Sequence, residues 1–174
     1  MPTGIFFQEV QLPEQKSYGD GVIFPVVLSP NTNHNFTATE AKLCVFKEAI
    51  RDHKPWLESL LQKSGAILFR GFPVISPSDF NDVVEAFGFP ESLYIGGRAS
   101  RTKVIGGFTR QTNLGNGEVV PDEAMRDCLK ILEEECVIIP WKKGDIMLVN
   151  NPAVLHSRLP LLKPPRRILA SLCK

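Results

Sequence analysis

The distribution of regular patterns along the chain limits the folds that are open to it. Residues 39 to 90 show helical periodicity and one short buried run, whereas residues 91 to 117 follow neither a helical nor a strand period. One more helical segment is followed, from residue 136 onward, by short apolar runs between turn residues. This order predicts an α+β domain with helices first, a break near the middle and a β meander last.

The first 38 residues are rich in Pro, Asn and Thr, which predicts an irregular N-terminal arm. Within it, GVIFPVVLSP can form an edge strand but not a central one, because Pro25 and Pro30 have no amide hydrogen to donate. We therefore assign residues 1–38 to the arm and residues 39–174 to a single domain.

Four helices are predicted from apolar spacing and from residues typical of helix ends. The first follows Thr39, the second begins at Pro55 and ends at Gly65, the third has Ser76 as its N-cap, and the fourth spans 121–135. AILFRGF, between the second and third helices, predicts a buried strand. Each helix has a predicted buried face. The residues are Leu43, Phe46 and Ile50 in the first helix, Trp56, Leu60 and Leu61 in the second, Phe80, Val83, Val84 and Phe87 in the third, and Met125, Cys128, Leu129 and Leu132 in the fourth.

The C-terminal part reads as consecutive short strands, CVIIPW, IMLVN, AVLHSR and RRILASLC, with a tight turn in KKGD. His156 lies in the third of these runs. A single histidine in an apolar strand is typical of a satisfied core or edge residue, so a functional role requires partners.

Charge and composition exclude several classes of protein. A net charge of +1 and a pI near 7.7 argue against a nucleic-acid-binding protein, and no apolar run is long enough to cross a membrane. The four scattered cysteines predict reduced core thiols in a cytoplasmic protein. No ligand cluster typical of zinc enzymes, hydrolase nucleophile motif or phosphate-binding loop is present.

The chain after Trp141 is cationic, since seven Lys and Arg residues accompany a single acid, Asp145. Arg166 and Arg167 would point to opposite faces of a strand, so one of them would face inward and need an anion. A bound carboxylate is one solution. The alternative is that both arginines are solvated or paired with Glu133 to Glu135.

Two groups of segments support a resemblance to a known family. SGAILFRGF and FNDVVEAFG, followed by WKKGDIMLVNNPAVLHSR and PPRRILASL, resemble the two ends of the taurine dioxygenase-like (TauD/TfdA) family, and within it the plant clavaminate synthase-like proteins. The match covers most of residues 55–105 and 118–174. It implies a double-stranded β-helix, or jelly roll, with flanking helices, which oxidises small molecules with Fe(II) and 2-oxoglutarate.

The resemblance also implies roles for two residues. His156 resembles the distal metal-binding histidine of the family, and Arg167 resembles the arginine that binds the distal carboxylate of 2-oxoglutarate. Ser171 stands where taurine-type enzymes have an arginine for a sulfonate, which argues against a sulfonate substrate.

The other two metal ligands of the family, a His-x-Asp or His-x-Glu motif, are missing. His34, His53 and His156 are followed two residues later by Phe36, Pro55 and Arg158. We expect that the central strands have been deleted, with the junction near residues 106–117, and that this chain does not hold iron stably or act as an oxygenase.

Two functions from different classes remain open. The first is a truncated and inactive member of the oxygenase family. The second is a non-catalytic interaction module that pairs an open sheet edge with a protein partner, which could be a full-length relative or a second copy. Mixing the chain with a full-length relative and testing for a dimer would separate them.

Overall fold

A computed structural model describes residues 6–31, 39–90, 118, 120–157 and 168–173. Their helices and strands are, in chain order, β1 (Phe7–Glu9), β2 (Lys16–Ser17), β3 (Ile23–Phe24), β4 (Val26–Pro30), α1 (Thr39–Asp52), α2 (Lys54–Ser64), β5 (Ala66–Phe69), α3 (Pro77–Phe87), α4 (Asp122–Glu135) and β6 (Ile146–Val149). This mixture of helices and sheets agrees with the predicted α+β class. No helix in these ranges is long and apolar enough to cross a membrane.

The chain divides into two compact units. One contains Met1–Ser92 and Ile139–Lys174, and the other contains Leu93–Ile138. Helix α4 belongs to the second unit, and the remaining elements belong to the first. The second unit is therefore inserted into the sequence of the first.

The main sheet has the strand order β1-β4-β5-β6, and β2 and β3 form a separate two-stranded sheet. Strand β4 pairs antiparallel with β1 and parallel with β5, so it is an inner strand. The expectation that its prolines confine this run to an edge is wrong. Pro25 precedes the first paired residue and Pro30 is the last, so neither removes a donor from the middle of the strand. The domain boundary placed at residue 38 stays a prediction.

The core lies between this sheet and helices α1, α2 and α3. Phe46 and Ile50 of α1 are fully buried, and the Phe46 ring stacks on Phe72 with 4.0 Å between ring centroids. The predicted faces contact the core, with some members buried (Phe46, Ile50, Leu61, Val83, Phe87) and others half-buried (Leu43, Trp56, Leu60, Phe80). Leu57 of α2 is also buried and was not predicted. The other buried members of the cluster are Phe6, Phe7, Val26, Leu28, Ala49, Leu57, Leu61, Ile67, Phe69, Val74, Val83, Ala86, Phe87 and Ile146.

The ends of α3 confirm the sequence prediction. The Ser76 hydroxyl accepts a hydrogen bond from the Asp79 amide at 3.1 Å, and the Asp79 carboxylate accepts from the amides of Ile75 and Ser76, each at 2.9 Å. These bonds, led by the one from Ile75, lower the pKa of Asp79 below its ordinary value of 3.8. Gly88 ends the helix in the left-handed conformation at φ 62°.

Helix α4 forms where it was predicted, but its expected buried face does not. None of its residues is buried: Met125, Leu129 and Leu132 are half-buried, and Cys128 is exposed. All four cysteines are free and exposed, so the prediction of core thiols is wrong. The apolar spacing of α4 therefore reflects an amphipathic helix whose apolar side is only partly covered.

The predicted meander is largely wrong. Within the C-terminal residues that the structure describes, only Ile146–Val149 forms a strand, and residues 136–141, 153–157 and 168–172 lie outside any strand. An apolar run becomes a strand only when a neighbour pairs with its backbone, and among the described C-terminal runs only β6 forms a strand, paired with β5. The break expected at 91–117 lies outside the described residues.

Candidate functional site

The segment that carries His156 begins at β6, and its path is set by the turn that follows. The Asn150 amide donates to the Gly65 carbonyl at 2.9 Å, which extends the β5–β6 ladder by one pair. The Asn150 carbonyl then accepts from the amides of Ala153 at 2.9 Å and Val154 at 3.1 Å. These bonds close a turn directly after β6.

A close contact with Gly65 fixes the end of this turn. Gly65 ends α2 with φ 78°, and a Cβ placed on it would lie 2.6 Å from the Cγ2 of Val154. Only glycine permits both the left-handed backbone and this approach. Val154 therefore packs directly on the α2–β5 junction, two residues before His156.

A buried ion pair holds the other end of β6. The Arg70 guanidinium donates through Nη2 to Asp145 Oδ2 at 2.6 Å and through Nε to Oδ1 at 3.2 Å. The side chains of Arg70 and Asp145 are 10% and 1% exposed. This two-point geometry is the strong form of an arginine–carboxylate pair, and it joins the end of β5 to the turn before β6.

The same pair also orders the chain around the turn. Arg70 Nη2 donates to the Pro140 carbonyl at 2.8 Å, and the Lys142 amide donates to Asp145 Oδ2 at 2.8 Å. The hydrogen bond to Asp145 raises the pKa of Arg70 above its ordinary value. We call Arg70, Asp145 and these two backbone contacts the β5–β6 clamp.

This clamp was not predicted from the sequence, although the sequence contains a signal for it. Asp145 is the only acid after Trp141, and it lies in the KKGD turn immediately before a buried strand. A buried arginine paired with a carboxylate is found at Arg70, directly after the buried run AILF. The one expected at Arg166 or Arg167 lies outside the described residues and stays a prediction. Pairing the two residues from sequence would have required the register of β5 with β6.

His156 is exposed and lies in irregular chain, not in the strand predicted for AVLHSR. Its imidazole has no hydrogen-bond partner within the described residues. Arg166 and Arg167 lie outside the described residues, so their position relative to His156 stays a prediction. Ser171 is exposed, and its hydroxyl is 3.9 Å from the Cys173 Sγ.

The residues that the structure describes do not fit the three-ligand iron site of the family. Among them, no group of three His, Cys, Asp or Glu side chains is arranged to hold a metal ion. The Asp145 carboxylate is occupied by Arg70, and His53 is engaged elsewhere, with its Nδ1 3.0 Å from the Ala49 carbonyl and its ring against Phe7.

A pocket of about 300 Å³ lies along β1, lined by Phe7, Gln8, Glu9, Asn31 and Trp56. Strands β1 and β6 are at opposite ends of the sheet order, with β4 and β5 between them. The pocket is thus separate from the segment that leads to His156.

Comparison with known proteins gives two matches. A family model described as "Taurine catabolism dioxygenase TauD, TfdA family" matches residues 28–124, which is more than half of the chain. A clavaminate synthase-like protein of Arabidopsis thaliana is 27% identical over 326 aligned residues, which include 95% of this chain and 98% of the relative. The family match includes β5 and α3.

Proposed function

Because the chain belongs to the TauD/TfdA family of dioxygenases, we propose that it is a non-catalytic member of that family. The family has a jelly-roll fold, uses Fe(II) and 2-oxoglutarate in general, and acts on small-molecule substrates. In our proposal this chain keeps a partial jelly roll with flanking helices and lacks the central strands.

The observation that carries the proposal is the absence of a second and third metal ligand in the sequence. Each of the three histidines is followed two residues later by a residue that cannot complete a His-x-Asp or His-x-Glu motif: Phe36, Pro55 or Arg158. Fe(II) is among the weaker binders of the divalent series, so its sites depend on ligand number and geometry. A single imidazole from His156 is insufficient.

The length of the alignment supports a deletion as the cause. The match to the Arabidopsis protein extends over 326 residues, whereas this chain has 174 residues in all. The sequence also contains no histidine and no acidic residue between Glu91 and Glu118, where the junction near 106–117 is proposed. In our proposal, the segment that would supply the missing ligands lies within this gap.

In this proposal His156 and Arg167 have the roles that the resemblance implies, but the complete iron site is no longer formed. His156 is proposed as the surviving metal ligand, and Arg167 as the residue that would bind a carboxylate of 2-oxoglutarate through paired hydrogen bonds. Without a metal to bind the other end of the cosubstrate, Arg167 alone is expected to hold it weakly. Fe(II) and 2-oxoglutarate are thus cofactors of the family that this chain does not bind stably.

The proposal is tested by adding Fe(II) and 2-oxoglutarate without oxygen and following the weak visible charge-transfer band of the ternary complex. We expect no band from the wild type or from His156→Ala, and a clear band from an active member of the family measured in parallel. A band in the wild type that disappears in His156→Ala would show that the site is completed by other residues, and the proposal would be wrong.

A second candidate function is an interaction module, and the open edges of the main sheet favour it. Strands β1 and β6 are the terminal strands of the sheet in the described residues. An unpaired edge presents backbone donors and acceptors that can add a strand from another chain. The partner in this proposal is a protein, either a full-length relative or a second copy.

A further inference from the structure

We propose that β6 pairs with β6 of a second copy of this chain, antiparallel and about a two-fold axis at Leu148. This inference deepens the second candidate function by naming the edge, the register and the partner. It depends on the open sheet edge and not on the state of the iron site, so the two can fail separately.

Two residues of β6 direct their backbone N–H and C=O groups away from β5. The bond from the Asn150 amide to the Gly65 carbonyl identifies a hydrogen-bonded pair, and in an antiparallel ladder such pairs alternate. Leu148 and Ile146, opposite Ile67 and Phe69, therefore direct their backbone groups toward β5. Met147 and Val149 must direct theirs away from the sheet.

These outward groups have no partner within the described residues. The hydrogen bonds in those ranges include none from the outward backbone of Met147 or Val149. Both residues are half-buried, so the described part of the chain does not enclose them fully. Two amides and two carbonyls are thus available along a short stretch of extended chain.

The register of β6 is self-complementary. With Leu148 opposite Leu148 of the second copy, Met147 of each chain lies opposite Val149 of the other. Both pairs are then of the hydrogen-bonded type, and all the outward amides and carbonyls of these residues are satisfied. The result is a continuous sheet through two copies, in which β6 contacts β6 at the centre. A two-fold contact of this kind uses the same surface on both subunits.

The side chains do not oppose this pairing. Strand β6 consists of Ile, Met, Leu and Val, and has none of the prolines or charges that usually protect a sheet edge. In the antiparallel register, Lys143 lies opposite Ala153 of the second copy, so the two cationic turns are at opposite ends of the contact. A net charge of +1 adds little repulsion between copies.

The other edge fits less well. Strand β1 carries Glu9 at an outward position, because the Val10 amide donates to the Val27 carbonyl and the alternation then turns Phe7 and Glu9 outward. Glu9 is exposed and charged, which is one of the features that discourage edge pairing. This difference provides a control for the experiment.

The first test is the mass of the full-length chain by sedimentation and light scattering over a range of concentrations. We expect a dimer for the wild type, and for Met147→Lys a dissociation constant raised by about tenfold or more. Gln8→Lys, which adds the same charge to β1, should leave the dimer unchanged. Circular dichroism and thermal unfolding would establish that both variants are folded.

The second test examines the register. Cys44, Cys128, Cys136 and Cys173 are all exposed and can be replaced by Ser to give a background without thiols. In that background Leu148→Cys should form a disulfide-linked dimer on mild oxidation, because the two Cβ atoms would face each other at about 5 Å. Met147→Cys should cross-link much less, because its symmetry mate would be at a diagonal position about 7 Å away.

Each outcome bears on one proposal. A monomeric wild type, a dimer that Gln8→Lys dissociates, or equal cross-linking of the two cysteine variants would overturn the β6 pairing and leave the non-catalytic assignment intact. An iron and 2-oxoglutarate band lost in His156→Ala would overturn that assignment and leave the pairing intact. A dimer with the expected cross-link and no band would support both.

Discussion

Within the β5–β6 clamp, Asp145 has the side chain that is most fully removed from water. Its side chain is 1% exposed, and it accepts bonds from Arg70 and from the Lys142 amide. A charge removed from water in this way is tolerated because its partner lies beside it. If one member of the pair is changed, the other is left as an uncompensated buried charge.

We expect Asp145→Asn to lower the free energy of unfolding by about 3 kcal/mol, because Arg70 would lose its counter-charge in a nearly buried site. Urea unfolding followed by tryptophan fluorescence would measure the change. The control is Asp82→Asn, which breaks the 2.7 Å pair with Lys47, whose side chains are 22% and 39% exposed. That pair is expected to contribute less than about 1 kcal/mol. Equal losses for both variants would contradict the special role of the clamp.

At the residue scale, the sequence predicts contacts that are local and misses those that join distant residues. The Ser76–Asp79 capping box spans three positions, so its pattern is visible in the sequence. The partners Arg70 and Asp145 are 75 positions apart, and nothing local in either segment specifies the other. The metal-binding role of His156 rests on the resemblance alone, and Arg167 lies outside the described residues.

Among the elements, the turn before β6 is constrained by its glycine. Gly144 has φ 86°, and a Cβ placed on it would lie 2.8 Å from the Val74 carbonyl oxygen. The left-handed conformation and the approach of a backbone oxygen both exclude a side chain. The turn that precedes β6 thus packs against the chain between β5 and α3.

We expect Gly144→Ala to lower the free energy of unfolding by at least about 2 kcal/mol, because it adds both backbone strain and a clash. Gly19→Ala is the matched control, since no atom lies within 4 Å of a Cβ at that position. Thermal unfolding of the two variants beside the wild type would measure the difference. A Gly144 variant as stable as the Gly19 variant would contradict the geometry of the turn.

Helices were predicted well and strands poorly, for a physical reason. A helix satisfies its backbone groups within its own segment, so spacing and capping residues suffice to locate α1, α2 and α3. A strand needs a neighbour, and the apolar runs at 136–141 and 153–157 have none in the described residues. Strand β4 was misjudged because the two prolines counted against it lie at its ends.

At the scale of the whole molecule, burial is concentrated in the N-terminal half. Among the residues that the structure describes, nearly all members of the core cluster lie between Phe6 and Phe87, and only Ile146 comes from the C-terminal part. The exposed large apolar residues are mostly C-terminal, and Leu155 is 81% exposed. Stability is therefore expected to differ strongly between the two parts.

Hydrogen exchange should show this difference between two helices of similar length. Helix α3 has buried residues, including Val83 at 0% exposure, whereas α4 has none. We expect amides of α4 to exchange at least about tenfold faster than those of α3, because opening α4 exposes little additional apolar surface. Mass spectrometry of peptides covering 77–87 and 122–135 would measure both. Equal protection of the two helices would contradict this expected difference in local stability.

The β5–β6 clamp also affects how much the number of residues between Arg70 and Asp145 can vary. Arg70 and Asp145 are 75 positions apart, and the inserted unit Leu93–Ile138 lies between them in sequence. The entropy lost in closing a flexible loop grows only logarithmically, so doubling the intervening length costs about 0.6 kcal/mol. One guanidinium–carboxylate contact with its backbone bonds outweighs that cost. The interval between these two residues can therefore gain or lose a large block of sequence while the strands on either side still meet.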